Sequence, residues 1–480
     1  MTKIGDAVTD AAQDAASAAQ EPAGLLRGLG LADCILLVVG SMIGSGIFLT
    51  TGEVAKHLPT PSLILGAWLV GGLMALTGAL TYAELGAAIP RAGGHYVYLR
   101  EAYGPLVGFL DGWLSFVASF PGSIAFVALG LMTYLPSAWT GHALWTVETP
   151  MFRWSVASAN ILAMALIISL SVINGLGLRT GSGAQNFFTG LKIAALVGIA
   201  GFGLFARRGS WANFGGGAPV VGGAGLAEFG AALIGVSFAY LGWDAATYMA
   251  AEVRHPQRSV PRSLVFGTLL VIALYLVFNV VLFYGIPAAG LAASTAPARD
   301  VANSLLGPGL SGILTLAILI CILGSLNATV MVGPRIYYAM AQDGLFPRVL
   351  ASVHPQTRVP VAAIAAQATL ACIIVLSATL GRMLAFTVLV IWLLSAVTGA
   401  AVFVLRRRAP NAPRPYRAWG YPWVPAVFCL SSVALMVNHL LRNPGDMLWL
   451  AAFLAAGIPV YLAMRPRRRS TQGPAQPVSG

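Results

Sequence analysis

Long apolar stretches without a charged residue dominate what this chain can fold into. Residues 154–178, 263–298, 301–334, 359–381, 383–405 and 418–441 contain no Asp, Glu, Lys or Arg. A helix needs about 20 apolar residues to cross a hydrocarbon layer about 30 Å thick, and each stretch is long enough. Across all 480 residues, 58% are hydrophobic and 9% are charged, whereas a soluble domain carries about 25% charged residues. Water cannot be the solvent for most of such a chain. A transmembrane barrel would alternate apolar and polar residues in strands of about ten, and no such alternation occurs. The expectation is an all-helical membrane protein with twelve spans at 31–55, 62–89, 104–135, 155–177, 185–206, 227–251, 263–286, 308–340, 361–380, 383–405, 420–441 and 447–464.

The net charge of +12 does not point to nucleic acid. With twelve spans and an internal N-terminus, 20 of the 28 Lys and Arg residues fall on the cytoplasmic side, seven fall outside, and Lys192 lies within a span. That asymmetry is the positive-inside pattern. It implies a multi-pass protein of a plasma membrane or bacterial inner membrane with both termini cytoplasmic. Residues 1–30 read as an N-terminal tail and 465–480 as a basic C-terminal tail. The segment RRRAPNAPRPYR, 406–417, separates a ten-span unit from a final pair at 406–464. Cys34, Cys321, Cys372 and Cys429 lie in apolar spans without metal-ligand or CxxC spacing and read as small core residues. The six histidines are scattered, and no nucleophile elbow, phosphate loop or HExxH occurs, so neither an enzyme nor a metal or other cofactor is indicated.

The first and sixth spans carry unusual glycine-bearing segments, GSMIGSGIF at 40–48 and GVSFAYLGWD at 235–244. Glycine costs a helix about 1 kcal/mol relative to alanine, so a break is expected at Gly44–Ser45–Gly46. Unpaired backbone groups inside a membrane are tolerated only against protein or a water-filled cavity. Two interrupted spans five helices apart point to a transporter built on an inverted repeat; close helix packing is the other use of such glycines. A half-helix starting at Gly44–Ser45–Gly46 presents free N–H groups and a positive dipole end, suited to a carboxylate. One ending near 238–241 presents carbonyls, suited to an ammonium. Together they match a zwitterionic α-amino acid.

Further blocks make a resemblance specific: YAELGAAIPRAGGHYVYLREAYG at 82–104, FAYLGWDAATYMAAEVRHPQRSVPRSL at 238–264, GSLNATVMVGPRIYYAMAQDGLFP at 324–347 and RPYRAWGYPWVP at 414–425. With GSMIGSGIFL in span one, the chain resembles the amino acid–polyamine–organocation superfamily, nearest its L-amino-acid transporter branch and bacterial relatives. The resemblance implies a LeuT-type fold, with inverted repeats 31–206 and 207–405 and two peripheral helices. It implies sodium-independent transport of amino acids by alternating access, through exchange or proton-coupled symport. It places the substrate carboxylate on Ile43, Gly44, Ser45 and Gly46, and the amino group on Phe238, Ala239 and Leu241, with Phe238 closing over the substrate. Many relatives have glycine at the position of Leu241, so the side-chain pocket here is expected to be small.

Lys192 is the single charge between Arg179 and Arg207, and a mid-span lysine should face a cavity or partner rather than lipid. The resemblance puts its ammonium where sodium-coupled relatives hold an ion near helix 1. It is then either a fixed cation or a proton carrier. Tyr275 is expected near helix 1 and the carboxylate, or as a packing aromatic. Glu84 and Asp111 are expected to pair with arginines, Asp244 to cap the second half of span six, and Glu252 to form an inner gate with Arg254, Arg258 and Arg262. Asn327 is expected at least to make a packing hydrogen bond. The branch's animal members join a glycoprotein through a cysteine between helices 3 and 4. Residues 136–153 contain none, so no disulfide-linked heavy chain is expected. A polyamine or cationic amino acid carrier and a non-transporting amino acid sensor are the competing readings.

Overall fold

The computed structural model describes residues 24–149, 152–205, 208–215, 225–294, 296–307, 311–377 and 380–464. The tail calls for 1–23 and 465–480 lie outside these residues. Among the described residues, nine helices are long and apolar enough to cross a membrane, and three shorter apolar helices accompany them. The shorter ones include Leu31–Met42, in the first expected span, and Val361–Ser377.

The apolar stretches became helices close to their expected limits where a strong start signal exists. Pro61–Ala88 begins with Pro61 at its first position and Thr60 accepting the Leu63 amide at 3.4 Å, a preferred N-terminal arrangement. Two starts were misplaced. Leu178–Phe205 and Pro256–Gly285 each begin seven residues before the expected 185 and 263, because their polar first turns read as loop. The expected span 308–340 divides into Ser311–Val332 and Pro334–Gln342, since proline lacks the amide a continuous helix needs. The expected external loop holds an antiparallel hairpin, Ala143–Thr149 with Phe152–Ala157. The connecting helices His95–Tyr103, Ala288–Ala293 and Pro297–Leu306 were not foreseen.

The packing sets the frame for the site. Pro256–Gly285 runs along Pro61–Ala88 and against Leu31–Met42, while Leu178–Phe205 packs on Leu31–Met42 and Ser311–Val332. The first apolar helix is thus flanked by the two helices that carry Tyr275 and Lys192. The last helix is peripheral: in Gly445–Met464 only 6% of the apolar window is buried within the protein, against 28% in Trp423–Arg442.

Buried ion pairs tie the polar loops down. Glu84 takes Arg406 at 2.8 and 2.6 Å, Arg414 at 3.5 Å and the Ala418 amide at 2.6 Å. It therefore pairs with arginines as expected and folds the 406–417 linker onto the helices. Glu252 departs from expectation: its partner is Arg335, at 2.7 and 3.0 Å in a two-pronged contact with both side chains buried. The planar guanidinium matches both carboxylate oxygens, which the neighbouring arginines on the same segment do not reach. The Glu252 carbonyl accepts the amides of Gly28 and Leu29, and Leu29 bridges Val253, so the tail is attached by residue 28.

Two glycines of one helix test this packing. A Cβ at Gly72 would lie 2.7 Å from Ile272 Cγ1 and 2.9 Å from the Tyr240 hydroxyl, whereas one at Gly66 meets nothing within 4 Å. Gly72→Ala is expected to destabilise by about 1–3 kcal/mol through overpacking. Gly66→Ala is expected to stabilise by up to about 1 kcal/mol through helix propensity. Thermal unfolding of the purified protein in detergent should move the two variants in opposite directions.

Candidate functional site

The first expected span is broken where its glycines cluster. The helix Leu31–Met42 ends, Ile43 is extended, and a second helix, Gly46–His57, begins. Span six breaks likewise: Leu226–Ala239 ends, and a short turn of helix resumes at Ala245–Tyr248. Gly242 sits in the gap at φ 99°, where a Cβ would lie 2.8 Å from Ser41 Cβ and 3.0 Å from its carbonyl carbon. Only glycine tolerates both that backbone conformation and that approach.

The polar ends left by the first break have different fates. The carbonyls closing Leu31–Met42 are taken up by side chains. Lys192 Nζ donates to Gly40 O at 2.6 Å and Ile43 O at 2.7 Å, and approaches Ser325 Oγ at 3.2 Å. Ser325 also donates to Ile43 O at 2.8 Å. Lys192 is fully buried, so its charge is held against the negative end of a helix dipole. Gly324 makes room, since a Cβ there would lie 2.5 Å from Lys192 Cε. The Tyr275 hydroxyl lies 2.8 Å from Met42 O and 3.1 Å from Ala239 O. It has one proton to share between them, and so it links the two breaks. By contrast, among the described residues no hydrogen bond starts from the amides of Gly44, Ser45 or Gly46.

The residues that carry those free amides line a cavity of about 190 Å³. Gly44, Ser45, Gly46, Phe238, Ala239 and Leu241 all line it, so six of the seven expected substrate contacts are brought together. Ile43 is the exception: it is fully buried and its carbonyl turns back to Lys192. Ala239 lines the wall, but its carbonyl is engaged by Tyr275. Lys192 and Tyr275 stand behind the wall, bracing the broken helix. Phe238 packs edge-on against Phe126 with ring centroids 6.2 Å apart.

The structure adds residues that sequence reasoning missed. Ser115, Ser119 and Ser123 line the cavity from one helix, with Ser325 and Thr329 from another. The four-residue spacing of the three serines was a legible signal, one face of a helix. His95, Asp244 and Tyr248 line it as well, as one bonded group. Asp244 occupies the expected cap position but makes no side-chain cap bond. Its carboxylate instead meets His95 Nε2 at 2.9 Å and the Tyr248 hydroxyl at 3.1 Å. Among the described residues Asp111 is not paired with an arginine; its ion-pair partner is His95, whose Nδ1 lies 3.8 Å away, because its side chain is buried inside the protein. Asn327 bonds Asn174 and Gln185, both at 2.9 Å, a packing network.

The profile of the family described as amino acid permease matches residues 29–463. The chain is 31% identical to the serine/threonine exchanger SteT of Bacillus subtilis, over 94% of this chain and 99% of that protein. It is 30% identical to the human b(0,+)-type amino acid transporter 1, over 92% and 89% of the two chains. Similarity to the human large neutral amino acids transporter small subunit 2 is 28%, over 95% and 84%.

Two substitutions probe the site. Lys192→Ala takes a charge-assisted bond of about 1.5–3 kcal/mol from each of the Gly40 and Ile43 carbonyls and leaves, among the described residues, only the Ser325 hydroxyl to serve both. It should cut the rate of substrate translocation by about tenfold or more while the protein still purifies as a folded species; near-normal rates would refute a role at the break. In Gly46→Ala the new Cβ would lie 2.9 Å from Ala239 Cα, a backbone atom that cannot swing aside. Equilibrium binding should be lost in that variant and retained in Gly201→Ala, where a Cβ meets nothing within 4 Å.

Proposed function

The chain belongs to the amino acid permease family, and on that premise we propose that it is a sodium-independent secondary transporter of small neutral L-amino acids working by alternating access. The carrying observation is the cavity between the two broken helices, with the unbonded amides of Gly44, Ser45 and Gly46 on its wall. Amides at a helix start attract a carboxylate. The ammonium is taken at the interruption of span six by carbonyls of Phe238, Ala239 and Leu241, that of Ala239 shared with the Tyr275 hydroxyl. Alternation follows from the helix bundle rocking against the scaffold, in a twelve-span LeuT-type arrangement of two inverted repeats, 31–206 and 207–405, with 406–464 at the periphery. The expected location is a plasma membrane or bacterial inner membrane with both tails cytoplasmic.

Size supports a small substrate. Drug-sized pockets run to about 300–1,000 Å³, and this cavity is about 190 Å³ with Leu241 on its wall. Sodium independence is supported by Lys192, whose ammonium holds the Gly40 and Ile43 carbonyls and leaves no anionic vacancy for a metal cation there. The relatives' names, a serine/threonine exchanger and large neutral amino acid transporters, agree with a neutral substrate.

Purified protein in sodium-free liposomes loaded with unlabelled serine should take up labelled serine or another small neutral amino acid by counterflow. A sensor would bind the label without exchanging it. No uptake and no binding of any proteinogenic amino acid would refute the proposal.

A further inference from the structure

The cavity lining holds ionisable groups that the recognition of a zwitterion does not use. His95 lies between two carboxylates, with Nε2 2.9 Å from Asp244 Oδ2 and Nδ1 3.8 Å from Asp111 Oδ1. Among the described residues, these are the only ion pairs of either aspartate. Asp111 is 1% exposed, and neither of its oxygens has a hydrogen-bond donor. The other ionisable groups facing His95 are phenols: Tyr248 stacks on the imidazole at 5.4 Å, and Tyr82 meets it edge-on at 5.1 Å.

The stoichiometry of protons follows from the inventory of donors. Both carboxylates are acceptors when ionised. A neutral imidazole has one N–H donor and one lone pair, so it would turn that lone pair toward one of the carboxylates. An added proton on that nitrogen makes His95 a donor on both sides and leaves the group with one net negative charge. A second would neutralise it. A buried carboxylate with no partner is costly, so the group gains from each proton it takes, and the protons are shared by the cluster. His95 and Asp244 line the cavity, so water or substrate there has a route to the shared proton, while Asp111 is buried and is not part of the lining.

We propose that His95, held between Asp111 and Asp244, is a proton-binding site on the cavity wall, and that its proton is carried with the substrate. In the proton-loaded form the imidazole nitrogen carries the proton between the carboxylates. On opening to the other side, the N–H bond breaks, the electron pair stays on nitrogen, and the proton passes to cavity water. The coupling rests on the amino acid reading of the same cavity; the proton site does not.

Two measurements test the parts separately. Proteoliposomes without internal amino acid are given an inward gradient of about two pH units, which for one proton per substrate drives accumulation of up to about 100-fold. The wild type should accumulate labelled serine severalfold above its level at symmetric pH, with acidification of an entrapped dye. Stimulation should disappear in His95→Gln and in Asp111→Asn. Serine uptake that ignores the gradient in the wild type, or uptake that occurs only into liposomes loaded with serine and ignores the gradient there, would overturn the coupling and leave amino acid transport standing. Substrate-free nitrogen-15 spectra of labelled histidine, assigned through His95→Gln, should show the His95 ring signals changing between about pH 5 and about pH 8, with the change altered in Asp111→Asn. A His95 signal invariant across that range would overturn the proton site whatever is transported.

Discussion

The structure depends on how a lipid-embedded chain can afford an interrupted helix. A break exposes carbonyls at one end and amides at the other where the surroundings offer neither water nor alternative partners. Here the two sets are treated differently. The carbonyls at the end of Leu31–Met42 are taken by Lys192, Ser325 and Tyr275. The amides at Gly44–Gly46 are left free in residues that line the cavity. Satisfying one pole from behind leaves the other pole available to a ligand.

This asymmetry explains why the bracing residues stand outside the cavity. Lys192 and Tyr275 come from helices that flank the first half-helix, and both reach the backbone rather than the space in front of it. Tyr275 also reaches Ala239 in the second break, so the two interruptions share a donor. Close approach is built in on the same scale: Gly46 against Ala239, and Gly242 against Ser41, leave no room for a Cβ. The cavity is consequently bounded by backbone on two sides, and side chains decide its remaining walls.

Charge inside the protein follows one rule. Each buried charge that the helices enclose has a partner on another helix or loop: Glu84 with Arg406, Glu252 with Arg335, Lys192 with the carbonyls of the first break. The first two pairs fasten loops to the helical body. Asp111 differs, because among the described residues its only ion-pair contact is a histidine already committed at 2.9 Å to a second aspartate. A group short of positive charge beside a cavity is a place for a mobile cation, and the smallest is the proton.

Much of this was legible in the residues. Uncharged runs of the length of a bilayer allow only helices, and three glycines in seven residues forced the first break to its place. The free amides follow from those facts, while the grouping of Gly44, Ser45, Gly46, Phe238 and Leu241 and the placing of Lys192 at the first break came from the resemblance to the superfamily. Helix starts with polar first turns were placed seven residues late, because hydropathy cannot separate a buried polar turn from a loop. Partner choice needed the tertiary structure. Which arginine meets Glu252, and that Asp111 faces His95 rather than an arginine, are set by the rotation of each helix about its axis. That rotation results from packing against several neighbours at once, and no local pattern along a uniformly apolar span records it.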